Sequence, residues 1–126
     1  MQVMDLYEEF FPKVLDKIKI STVRFGHRDD SHLPLGFTQI NATKGQADSI
    51  VVDVTNKIYK TFGTLTEEDA INDGFNSLQE LKDVILAIYK DRGVTDDSAV
   101  TIAYFDVQYV MQGVRPNAPK AAELKP

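Results

Sequence analysis

Two runs of strand-forming residues lie far apart along the chain, and together they restrict its fold more than any other feature. The first, Ser49 to Phe62, alternates Ile50, Val52 and Val54 with Val51, Asp53 and Thr55, then continues through Ile58, Tyr59 and Phe62. The second, Ala99 to Val110, puts Val100, Ile102 and Tyr104 on one face and Thr101, Ala103 and Phe105 on the other. Alternation of this kind marks strands, and apolar residues on both faces predict a closing strand covered from both sides. The length of the first run predicts a bent strand pair. Phe37 to Ala42 reads as another strand, reached from the first run through a turn at 43–48. Helical sequence fills the interval before Ala99, so most strand pairing must be non-local. The element order helix, strand, strand, strand, helix, helix, strand predicts an α+β domain with a strongly curved sheet or small barrel.

The helical segments carry their own punctuation. Leu6, Phe10, Phe11, Val14, Leu15 and Ile18 recur at three- and four-residue spacing, predicting a helix that Pro12 either kinks or restarts. Thr66-Glu67-Glu68-Asp69 has the form of a capping box, opening a short helix that stops at Gly74. Ser77-Leu78-Gln79-Glu80 is a second, and Leu78, Leu81, Val84, Ile85 and Ile88 form an apolar stripe expected to face the core. Gly26 to Gly36 is a breaker-rich loop. Its His27, Asp29, Asp30 and His32 lie on no helix that would fix a metal-ligand spacing, so the loop reads as a solvated border to a pocket. From Gly113 onward periodicity is lost, which predicts one domain over residues 1–112 and a flexible tail over 113–126.

Composition excludes several classes. The 126 residues include no cysteine, so neither a disulfide framework nor a thiolate metal site is available. No apolar run reaches the roughly 20 residues of a membrane span. The N-terminus lacks the basic start and apolar core of a signal peptide, which makes a cytoplasmic protein without a membrane partner the expectation. Lys44-Gly45 lacks the upstream glycine of a triphosphate-binding loop. A net charge of −5 argues against coating long nucleic acid. Its distribution is uneven: five Lys/Arg against one acid between Lys13 and Arg28, but nine acids against three bases between Thr64 and Ser98. A local basic patch on an acidic chain suits a short or single-nucleotide ligand.

The basic stretch contains Lys19-Ile20-Ser21-Thr22-Val23-Arg24, an amine, two hydroxyls and a guanidinium threaded through strand-prone neighbours. On a strand Thr22 and Arg24 share a face. Strict alternation puts Lys19 on the opposite face from Thr22, so Lys19 must lie in the turn before the strand or be re-aimed by a bulge.

Lys19, Thr22 and Arg24 fit a Lys-x-x-Thr-x-Arg strand that follows a helix. Leu65-Thr66 begins a short helix ending in Asp73-Gly74-Phe75, followed by Ser77-Leu78-Gln79-Glu80-Leu81. In this order and spacing the chain resembles the ASCH domain, a branch of the PUA-like superfamily, over roughly residues 6 to 110. The resemblance implies a PUA-like pseudo-barrel of five or six mixed strands, flanked by two or three helices, with a cleft lined by these signatures. It also implies an association with RNA. A bacterial subgroup of small members hydrolyses N4-acetylcytidine to cytidine and acetate through the motif lysine, the motif threonine and a glutamate. These map onto Lys19, Thr22 and Asp73. Two positions depart from the pattern: the acid here is aspartate, and Lys17 stands where the family commonly has glycine.

Three functions follow as expectations. The first is a module binding RNA or a modified nucleoside, with Lys19, Arg24 and Arg28 on phosphate and Phe25 or Tyr104 stacking a base. The second is an amidohydrolase in which Thr22 attacks, Lys19 takes its proton and Asp73 orients water or the cytosine amino group. The third is a regulatory protein-interaction domain. Each side chain has a plain structural role too: Thr22 as a strand former, Asp73 at a helix end, Arg24 paired with an acid of the 64–98 segment. No cofactor or metal is expected.

Overall fold

A computed structural model describes residues 1–42 and 48–112. Five strands form one mixed sheet: β1 (Gln2–Leu6), β2 (Ser21–Phe25), β3 (Gly36–Ala42), β4 (Ser49–Thr61) and β5 (Ala99–Met111). Their spatial order is β1-β3-β4-β5-β2, with β1 parallel to β3 and every other neighbour antiparallel. Three helices accompany them: α1 (Phe11–Leu15), α2 (Glu67–Asn72) and α3 (Leu78–Ile88). The α+β architecture and the strand number match the sequence reading.

The expected bent pair over 49–62 is instead a single 13-residue strand. Register shifts between Val51 and Val52 and between Val54 and Asn56 bend it against β5, and bulges of this type raise local twist. A second correction concerns the N-terminus. Residues 2–6 form a strand, with Met4 and Leu6 buried and Val3 and Asp5 exposed. The helix is only Phe11–Leu15, with Pro12 in its first turn, where the missing N–H costs nothing. Both expected helix caps form: Thr66 caps α2 in a reciprocal box with Asp69, and Ser77 caps α3 by accepting from the Glu80 N–H. The expected turn over 43–48, apart from Asp48, and the expected tail lie outside the described residues.

Two apolar clusters fill the interior, and β5 feeds both. Ala103 and Phe105 join Met4, Phe11, Ile40 and Val52 in one. Val100 and Ile102, on the opposite face, join Val23, Phe62, Leu81 and Ile85 in the other. The strand is therefore covered on both sides, as its pattern predicts. The sheet curls until its two edge strands approach each other: Arg24 Nη2 on β2 donates to the Asp5 carbonyl of β1 at 2.7 Å. That guanidinium spans the seam of an incompletely closed barrel.

Candidate functional site

A cleft opens at this seam. Its position follows from how the chain enters β2. The α1 helix ends in a turn where the Ile18 and Lys19 amides both donate to the Lys13 carbonyl at 2.9 Å. Lys17 in that turn has φ 61°, the one positive φ on a non-glycine residue among those described. Glycine takes up such a left-handed backbone freely, whereas Lys17 adopts it at a cost of about 1 kcal/mol. Lys19 therefore lies before the strand, free of the alternation that would aim it away from Thr22.

The end of α2 is tied to the same place. The Ile20 amide donates to the Asn72 carbonyl at 2.8 Å, setting Lys19 beside Asp73. Gly74 then reverses the chain with φ 90°; a Cβ there would sit 3.1 Å from Cβ of Lys19, so both conformation and space favour glycine. The Lys13 amine fixes this turn by donating to the Gly74 carbonyl at 2.7 Å.

Lys19 and Asp73 form a buried ion pair at the bottom of the cleft, 3% and 5% exposed in their side chains. The Lys19 ammonium also donates to the carbonyls of Ser21 at 2.8 Å and Asp73 at 3.1 Å. The second carboxylate oxygen of Asp73 accepts from the Val23 amide at 3.1 Å. Burial pushes the Lys19 amine well below its usual range, and the Arg24 and Lys13 cations push the same way. Asp73 opposes them. Thr22, also buried, accepts from Arg24 Nε at 3.2 Å through its hydroxyl oxygen. No hydrogen bond joins Lys19 to Thr22 among the described residues.

These groups make one wall of a cavity of about 180 Å³. The other wall is apolar: Phe10, Phe75, Val84, Ile85, Ile88 and Tyr89. A cavity of about 150 Å³ admits benzene, so this one has room for a single planar ring. The α3 stripe, expected to be wholly core, is divided. Leu81 and Ile85 are 1% and 3% exposed, whereas Ile88 is 46% exposed at the cleft.

Lys19, Thr22, Asp73 and Arg24 thus surround one hollow, and Arg24 pairs with no carboxylate among the described residues. Phe25, Tyr104 and Arg28 lie outside it. Phe25 stacks behind Tyr89 at 5.2 Å, with the Arg92 guanidinium 5.1 Å from its ring centroid. Tyr104 packs against the second core. The rings at the cleft are Phe10, Phe75 and Tyr89 together with Tyr7. Sequence reading missed them because Phe10 and Phe75 carry ordinary core patterning, and Tyr89 falls just past the end of α3.

Strand order, bulged barrel and cleft define a fold class: this is an ASCH-type, PUA-like fold. Three of the solved structures it resembles illustrate this. An ASCH domain from Lactobacillus crispatus is 14% identical with a TM-score of 0.62, covering 84% of this chain and 79% of that one. A DUF984-family protein from Enterococcus faecalis is 11% identical with a TM-score of 0.69, covering 87% and 77%. An ASCH protein from Zymomonas mobilis is 17% identical with a TM-score of 0.60, covering 90% and 72%. No family model and no curated protein matches the sequence. Among the described residues, no helix is long and apolar enough to cross a membrane, and no group of side chains is arranged to hold a metal ion.

Proposed function

We propose that the cleft binds one nucleobase-sized ring, presented by RNA or as a modified nucleoside. The observation that supports this most is the pairing of walls around a ring-sized hollow. Apolar side chains and the Tyr89 ring offer a face for stacking, worth about 1–3 kcal/mol per base. Opposite them, the Thr22 hydroxyl and Arg24 offer hydrogen bonds to polar edges. Burial makes each such bond discriminating, since a mismatched ligand leaves a desolvated group unpaired.

Titration with cytidine, N4-acetylcytidine and a short single-stranded RNA tests the reading. Saturable binding, weakened at least tenfold by Arg24→Ala and by Ile88→Ala in folded protein, is expected. Absence of binding by all three ligands would rule it out.

A second reading, hydrolysis of an acyl amide on the bound base, is favoured by one observation: a burial-depressed lysine amine shares the hollow with a threonine hydroxyl. Turnover requires Lys19 to leave one of its present acceptors and reach Thr22. Release of cytidine and acetate from N4-acetylcytidine, lost in Thr22→Ala, would establish this reading; binding without turnover would eliminate it.

A further inference from the structure

Beside the cleft lies a second hollow, of about 280 Å³, whose lining includes Gln2, Asp5, Arg24, Arg28 and His32. Asp5 and Arg24 line both hollows, so the two are contiguous across the seam between β1 and β2. The second differs sharply in chemistry. It is polar, and it holds two guanidinium groups.

Those two cations are not neutralised. Neither Arg24 nor Arg28 forms an ion pair with a carboxylate among the described residues. Burial is the main influence disfavouring the Arg24 charge, and the nearby Arg28 cation adds to it; the Tyr89 hydroxyl and Asp5 oppose them, Asp5 without reaching pairing distance. The neighbouring Asp29 is already engaged, accepting from Ser31 at 2.6 Å and bonded to the His32 ring at 2.8 Å. Two like charges held together without a counter-charge are unfavourable unless something anionic joins them.

The arginines are nevertheless fixed in place. Arg28 donates its amide to the Thr101 hydroxyl at 2.8 Å and its Nε to the Phe25 carbonyl at 2.9 Å. Its own carbonyl accepts from Lys57 Nζ at 3.2 Å and from the Tyr59 hydroxyl at 3.0 Å. Arg24 is held by Thr22 and the Asp5 carbonyl. Neutral acceptors therefore orient both guanidinium groups while leaving their charge unspent. Such forks match the oxygens of a phosphate.

We infer that the second hollow holds a phosphate group of the same ligand whose ring occupies the first, making that ligand a nucleotide rather than a free nucleoside. The inference rests on the base-binding reading of the cleft. Arg24, shared by both hollows, would bridge ring and phosphate. The phosphate can come from a nucleoside monophosphate or from the phosphodiester of an RNA strand.

Calorimetric titration of the whole chain separates these. Cytidine, its 3′- and 5′-monophosphates and the dinucleotide CpC serve as probes. At least one monophosphate or CpC is expected to bind about tenfold or more tightly than cytidine, with the ratio falling as salt rises. In Arg28→Ala and in Arg28→Gln, which keeps most of the side chain's bulk, that ratio should drop to about one. Tightening by CpC points to RNA; tightening confined to a monophosphate points to a mononucleotide. Cytidine binding with no gain from any phosphate, or a gain that survives both variants, overturns the inference and leaves the base-binding reading standing. If cytidine and every phosphorylated probe fail to bind, both fall.

Discussion

The two walls of the cleft are built on opposite principles. On the strand side, charges are buried and almost fully engaged: Lys19 satisfies three acceptors, and Asp73 accepts from both Lys19 and the Val23 amide. That wall is rigid because any displacement leaves a desolvated charge without a partner. On the α3 side, contacts are apolar and graded, from buried Ile85 to half-exposed Ile88. No single contact there is obligatory, and the wall can adapt to the shape of a ligand. One wall fixes orientation; the other supplies area.

Breaking the strand wall should have the largest effect. Asp73→Ala strands a buried ammonium and is expected to cost about 3–5 kcal/mol in urea unfolding. The double variant Lys19→Met/Asp73→Leu should recover most of that loss. If the double variant is as unstable as the single, the contrast between the walls is wrong.

Within the apolar wall, Ile85→Ala should cost about 2–4 kcal/mol by leaving a cavity. Ile88→Ala should cost less than about 1 kcal/mol in the same assay while weakening ligand binding. Equal losses of stability would remove the gradation described above.

A smaller effect should appear in the pH dependence of stability. Burial lowers the Lys19 pKa in the native state, while the unfolded chain keeps the ordinary value near 10.5. Between the depressed native value and 10.5 the unfolded state binds more protons, so stability rises with pH through that window. Below it the full burial cost is present. Wild type should therefore gain stability relative to Lys19→Met as pH is raised towards 10.5, measured by denaturation at successive pH values. A constant difference would show that Asp73 cancels the effect of burial.

The smallest change concerns the turn that delivers Lys19. Lys17→Gly relieves a left-handed backbone but loosens the unfolded chain, and should stabilise by about 0.5 kcal/mol. A loss of stability instead would mean that the Lys17 side chain contributes contacts that outweigh its conformation.

Most of the polar wall was legible in the sequence. The Lys19–Arg24 segment and the Asp73-Gly74 stop signalled themselves through residue type and spacing, and the two capping residues, Thr66 and Ser77, sit where they were expected. The apolar wall was not legible, because periodicity reports that one face of α3 is covered and not by what. Ile88 and Ile85 look alike in sequence and differ only once β1 and β2 are placed. The β1 strand escaped for a related reason. Its alternation over Gln2–Leu6 is short, and its pairing with β3 joins segments far apart in the chain. The overlap of Leu6 with a helical spacing through Phe10 then favoured the wrong period.

The bulged β4 strand has a consequence for how the molecule comes apart. It sends Val52 and Val54 into one apolar cluster, and Phe62, immediately beyond its end, into the other. Its partner β5 divides its side chains between the same two clusters. Water cannot enter either interior without stripping a ladder on which both depend. The two halves should consequently melt in a single step, with the amides of Val52 and Ile102 exchanging their hydrogens only through complete unfolding.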